Sequence, residues 1–229
     1  MGAVGASKTA GEDGVIRLTA DDIDRVAVLG AHCDDIAIGA GATLLTLCRA
    51  RPGLRVDALV LSGGGTPRED EERAALAAFC EGAELELTVH KLPDGRLPVH
   101  WEEAKDAVEQ LRGRTDPDLV IAPRVDDAHQ DHRGLAELVP TAFRDHLTIG
   151  YEIVKWDGDL GTPSLYQPLA DSIAEAKARL LRQHYPSQRH RGWFDDEAFL
   201  GLARIRGIEC GTRYAEGFYT RKLTLNLEG

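Results

Sequence analysis

Two short segments of this chain carry residues that could do chemistry together. The first, His32-Cys33-Asp34-Asp35, directly follows the strand-like run 26–30. The second, His129-Gln130-Asp131-His132, lies about ninety residues further on, just past an apolar run ending at Pro123. Imidazoles and carboxylates suit a divalent ion, and an ion used for hydrolysis wants spare acid–base groups beside it. His32 and Asp35, three apart, can wrap one ion across a tight turn, whereas adjacent residues on that turn cannot all face it. Asp34 is then left close but uncoordinated, where a general base belongs. His132, at the start of a helix, would be the third ligand. His129 stays free to donate to a developing oxyanion or to protonate a leaving amine. Asp126, Asp127 or Asp131 would orient either histidine, and spacing does not choose among them.

A plainer reading exists for each half alone. Two aspartates after His32 make an ordinary N-cap and acidic first turn for a helix starting near Ile36. His129 and His132 could be surface residues of a polar loop. Two such clusters, each at a strand exit, favour the metal site over this pair of coincidences.

The elements that must position them alternate along the first two-thirds of the chain. Strands are expected at 25–30, 55–61, 84–90 and 118–123, and helices at 37–50, 69–81, 101–112 and 132–144. Pro140 is expected to bend or break the last of these helices. This order argues for an α/β fold, a Rossmann-like and mostly parallel sheet with helices on both faces. Ligands of such sheets sit beyond the carboxyl ends of the strands, which is where both clusters fall. The last third reads as an edge strand at 150–154, a helix at 170–184, a mixed aromatic and charged stretch at 189–206, and extended segments at 214–220 and 222–227.

Bulk properties set limits. The 229 residues carry 28% charged and 43% hydrophobic side chains and a net charge of −11. One core is the default at this length: residues 1–14 read as a flexible N-terminal tail and 15–229 as a single hydrolytic domain. The acidic balance argues against nucleic-acid and anionic-membrane partners. No apolar run reaches spanning length, and the start of the chain lacks the apolar core of a signal peptide. The four cysteines form no CxxC and read as reduced thiols, so a cytoplasmic location is expected. Ser62-Gly-Gly-Gly65 lacks the spacing of a phosphate loop and reads as a turn that lets the backbone pass close to substrate.

Ala31-His-Cys-Asp-Asp-Ile-Ala-Ile-Gly39 together with His129-Gln-Asp-His132 resembles the LmbE/PIG-L family of zinc-dependent N-deacetylases, whose signatures are AHPDDExxG and HPDH or HxDH. The resemblance continues through Ser62–Gly65 with Arg68 and Glu72, Leu92-Pro-Asp-Gly95, Lys177, His184, Ser187-Gln188 and Tyr214-Ala-Glu-Gly-Phe218. It implies His32, Asp35 and His132 as ligands of Zn2+, with Fe2+ as the alternative ion. It implies Asp34 as the base and His129 as electrophilic stabiliser or general acid, and it suggests Arg68 and Asp94 for holding sugar hydroxyls. Cys33 stands where the family has proline, and Ile36 where it has glutamate. The expected activity is removal of an N-acetyl group from an amino sugar or glycoconjugate, a small-molecule substrate. The alternatives are an amidase or deacylase acting on a thiol conjugate or natural-product intermediate, and a non-catalytic carbohydrate-binding homologue. The extended C-terminal segments would suit contacts between copies in a homo-oligomer.

Overall fold

The computed structural model describes residues 22–224, so the tail expected at 1–14 and the end of the segment expected at 222–227 lie outside the described residues. The strands are β1 (Arg25–Gly30), β2 (Arg55–Ser62), β3 (Glu84–Leu92), β4 (Leu119–Pro123), β5 (Leu147–Tyr151), β6 (Leu165–Leu169) and β7 (Tyr214–Thr220). The helices are α1 (Asp35–Ala50), α2 (Pro67–Phe79), α3 (Trp101–Arg114), α4 (Gln130–Ala142), α5 (Asp171–His184) and α6 (Asp196–Glu209). One seven-stranded sheet runs in the order β3-β2-β1-β4-β5-β7-β6. The first five strands of that order are parallel, and β7 is antiparallel to both of its neighbours. This is the α/β architecture expected from the alternating pattern.

β1 and β4 are buried along nearly their whole length, as unbroken apolar runs in the middle of a parallel sheet should be. They pair directly, Val26 with Leu119 through Val28 with Ile121. The chain leaves β1 to build one side of the sheet and leaves β4 to build the other. The helices part in the same way. One apolar core joins α1, α2, α5 and α6 to one face of the sheet, and a second joins α3 and α4 to the other. The loops after β1 and β4 therefore diverge above adjacent strand ends, the usual ligand position of an open α/β sheet.

Three expectations change. β5 begins at Leu147 and is an interior strand, because β7 pairs along its outer side. The true edge is β6, which the pattern at 165–169 did not reveal; Pro168 suits that edge, where a missing backbone donor costs little. α4 runs through Pro140 and stops two residues later, since a proline so near the end removes one of the last intrahelical bonds only.

α1 is seated on the sheet by a close contact. A Cβ at Gly39 would lie 2.2 Å from the Tyr151 ring, and the Tyr151 hydroxyl donates to the Leu29 carbonyl at 2.9 Å. Gly39→Ala should overpack this contact and cost about 1–3 kcal/mol. Gly113→Ala, at a helical site with no atom within 4 Å, should leave stability unchanged or improve it. Thermal melts of the two variants check this, and a Gly39→Ala protein as stable as the parent would contradict it.

Candidate active site

The turn from β1 into α1 is organised by Asp35. Its Oδ2 accepts from the backbone N–H groups of Ala31 and His32, both at 2.9 Å. The same oxygen lies 3.4 Å from His32 Nδ1 and 3.3 Å from His132 Nε2, and those two nitrogens are 3.1 Å apart. Three potential ligand atoms thus form a nearly equilateral triangle. Ligands about 2.0–2.1 Å from a tetrahedral zinc ion would be separated by roughly 3.3–3.4 Å. Two imidazoles and one carboxylate also match a hydrolytic donor set.

The remaining ring nitrogens are paired. His32 Nε2 faces Asp131 Oδ2 at 3.1 Å, and Asp131 is itself fixed by the N–H groups of Gly95 and Leu97. His132 Nδ1 faces Asp127 Oδ2 at 3.1 Å. A carboxylate behind each imidazole sets its tautomer and turns the other nitrogen towards the shared centre. Of the three aspartates that spacing left undecided, Asp131 serves His32 and Asp127 serves His132. Asp126 pairs at the surface with Arg124 at 3.0 Å. Burial opposes charge on His132, but Asp35 and Asp127 outweigh it and push the imidazole up to about 9. Burial likewise opposes ionisation of Asp35, and the His132 and His32 charges hold its carboxyl well below the usual range. Two other groups, His32–His129–His132 and His32–Asp94–Asp131, also bring ligand atoms within 4.8 Å. The first takes His129, whose Nδ1 already caps α4, in place of Asp35. The second omits both Asp35 and His132 and relies on exposed Asp94.

Asp34 adopts φ +104°, making it the lone non-glycine with positive φ among the described residues. Such a conformation costs on the order of 1–3 kcal/mol and persists where surroundings enforce it. The residue stands at the N-cap of α1, yet its side chain accepts no helix N–H. The plain capping reading therefore fails. Its carboxylate instead pairs with Arg68 Nη2 at 3.0 Å, while its backbone N–H donates to Glu72 Oε2 at 2.8 Å. Burial pushes the Asp34 carboxyl up to about 6, against the pull of Arg68. Glu72 is fully buried, receives the Tyr185 hydroxyl at 2.7 Å, and is itself raised by burial to about 8.

Arg68 also donates to the Cys33 carbonyl and, at 2.9 Å, to Ser187 Oγ, with its guanidinium over the Tyr185 ring. Most of its donors are engaged within the protein. Asp94 stands at the open edge of the cluster, its side chain 79% exposed and 3.2 Å from His32 Nε2. His129 caps α4 through Nδ1, which accepts from the Asp131 N–H at 3.2 Å and so leaves the proton on Nε2. Burial and the charges of His32 and His132 hold its basicity below normal. A neutral ring with an Nε2–H donor is the result, 4.8 Å centre to centre from both other histidines.

Cys33 is not part of the triangle. Its Sγ faces the Ser62 carbonyl at 3.5 Å, and a Cβ at Gly63 would lie 2.6 Å from that sulfur. The glycine turn thus makes room for Cys33, and Gly64 makes room for the end of β3. Ile36 is fully buried in the apolar core. Phe194 packs edge-on to Tyr185 and Phe199 within the apolar core. Glu216 is structural: it accepts from the N–H groups of Ala42 and Thr43 and from Lys177. Sequence reasoning missed what Glu72 and Tyr185 do. The available signal was the four-residue interval from Arg68 to Glu72, which puts both on one helix face.

Among the described residues no helix is long and apolar enough to cross a membrane. Two curated relatives are each 27% identical. One is an uncharacterized deacetylase, YaiS, of Escherichia coli, matched over 75% of this chain and 96% of its own. The other is the diacetylchitobiose deacetylase of Thermococcus kodakarensis, matched over 86% of this chain and 83% of its own. A conserved protein of Thermus thermophilus of known structure superposes with a TM-score of 0.69 at 25% identity, covering 90% of this chain and 98% of that one. The family described as PIG-L, GlcNAc-PI de-N-acetylase, matches residues 27–143, a span holding both histidine–aspartate clusters and just over half of the 229 residues. The chain belongs to the GlcNAc-PI de-N-acetylase (PIG-L) family.

Proposed function

We propose that this protein is a zinc-dependent N-deacetylase that hydrolyses the acetamide of a small N-acetylamino sugar or glycoconjugate. The observation that carries the reading is the triangle of His32 Nδ1, His132 Nε2 and Asp35 Oδ2, with Asp34 held beside it by Arg68 and Glu72. The family and the chitobiose-directed relative support the substrate class. His32, Asp35 and His132 would hold the ion; the donor set favours zinc and also suits Fe2+. When bound, the ion supplies polarisation of the amide carbonyl and acidity to its water near neutral pH.

The chain's own residues do the rest. Asp34 takes the proton of the attacking water onto its carboxylate. The Nε2–H of His129 donates to the amide oxygen as negative charge collects there. Asp34, now a carboxylic acid, passes the proton to the nitrogen as the C–N bond breaks, leaving acetic acid and a free amine. Asp94, at the open edge, is the freer of the two candidates for substrate hydroxyls. Arg68 can reach substrate only with whatever its internal partners leave available.

Assays of amine release from N-acetylated mono- and disaccharides test this directly. Chelated protein should be inactive and should recover with one equivalent of zinc. Asp34→Asn should lower kcat by about 10²–10⁴-fold while zinc still binds. His132→Ala should lose the metal itself. Full activity in rigorously metal-free protein would overturn the mechanism. Arg68 opposes the upward push of burial on Asp34, so removing it should raise the pH needed to ionise the base. The acid limb of the kcat/KM profile should therefore move to higher pH in Arg68→Met, and an unmoved limb would sever Arg68 from the base.

A further inference from the structure

The backbone of Asp34 is held by a chain of groups that none of the proposed chemical steps uses. As the N-cap residue it offers an N–H with no partner in the helix it begins. That N–H donates 2.8 Å to Glu72 Oε2, and the Tyr185 hydroxyl donates 2.7 Å to the same oxygen. Tyr185 is fully buried, directly follows α5 and packs edge-on to Phe194, so it presents a fixed hydroxyl. Glu72 lies one helical turn after Arg68 on α2, so one face of one helix reaches both the carboxylate and the backbone of Asp34. Glu72 Oε1 is buried without a partner. A carboxyl kept in an apolar interior with an idle oxygen is a poor way to gain stability, because an apolar side chain would avoid that cost.

We infer that Glu72 and Tyr185 are positioning residues: together they lock the Asp34 backbone in its left-handed conformation and so aim the carboxylate of the base. The inference rests on reading Asp34 as the base, but the lock itself is measurable without substrate. Hydrogen exchange of the Asp34 amide, followed by NMR, reads the bond to Glu72 whatever the protein hydrolyses. The Asp34 amide should be protected in the parent and in Glu72→Gln, which keeps an acceptor oxygen in place. It should exchange at least about tenfold faster in Glu72→Ala and Tyr185→Phe. In zinc-loaded protein those last two should lose about 10- to 100-fold in kcat with KM within twofold of the parent. Zinc affinity should stay unchanged, because Asp34 is not among the ligand atoms, and Glu72→Gln should restore turnover. If Glu72→Ala fails to fold, Tyr185→Phe carries the test alone, since it removes a hydroxyl without opening a cavity. An unprotected amide in the parent, or Glu72→Gln as impaired as Glu72→Ala, overturns the inference. If the lock reads out in exchange but no N-acetyl sugar is turned over, the substrate assignment fails and the lock stands.

Discussion

Two imidazole nitrogens facing each other at 3.1 Å, with a carboxylate oxygen 3.3–3.4 Å from each, cannot all present lone pairs to one point unless positive charge lies between them. Protons can supply that charge, and so can a cation. The surrounding groups favour a cation at a fixed place. Asp127 and Asp131 take the outward nitrogens of the two rings, so the inward nitrogens are left to share the centre. Asp35, meanwhile, spends the oxygen that faces them on two backbone N–H groups of its own turn. The turn, the rings and the charge balance are therefore one constraint.

The fold serves that constraint by bringing two distant turns to adjacent strand ends. β1 and β4 pair directly while the chain departs from them in opposite directions, so the turns after them share a rim without competing for space. Each flanking helix then has a separate duty. α1 brings Asp35 and is seated by the contact of Gly39 with Tyr151 and by the Glu216 carboxylate at Ala42 and Thr43. α4 brings His132, and its own cap consumes one nitrogen of His129 and thereby settles that ring's proton. α2 contributes no atom to the triangle, but holds Asp34 by backbone and side chain at once.

Much of this was legible in the residues. Unbroken apolar runs at 26–30 and 119–123 mark buried parallel strands because both faces of such a strand are covered, and the clusters that follow them must then share a rim. Other features left no local trace. β6, Leu-Tyr-Gln-Pro-Leu, is half polar and holds a proline, so it reads as a strand only once β7 is beside it. The misplacement of β5 at the edge had the same origin, since antiparallel β7 arrives from the far end of the chain. Within the site, spacing could nominate Asp34, Asp35 and the histidines, because their separations along turns restrict what they can face. It could not select Asp127 and Asp131 over Asp126, because the choice turns on the direction each side chain takes out of the loop or the first turn of α4. Nor could it show Glu72 reaching the Asp34 amide, a bond between residues 38 apart with no periodic signature.

The central claim is the identity of the atoms around the ion. X-ray absorption at the zinc edge, on protein carrying one equivalent of zinc, tests it most directly. The expected spectrum shows nitrogen and oxygen scatterers alone, at about 2.0–2.1 Å, with the outer-shell pattern of two imidazoles. A sulfur shell near about 2.3 Å, which would bring Cys33 to the metal, or an outer shell without imidazole scattering, would contradict the account.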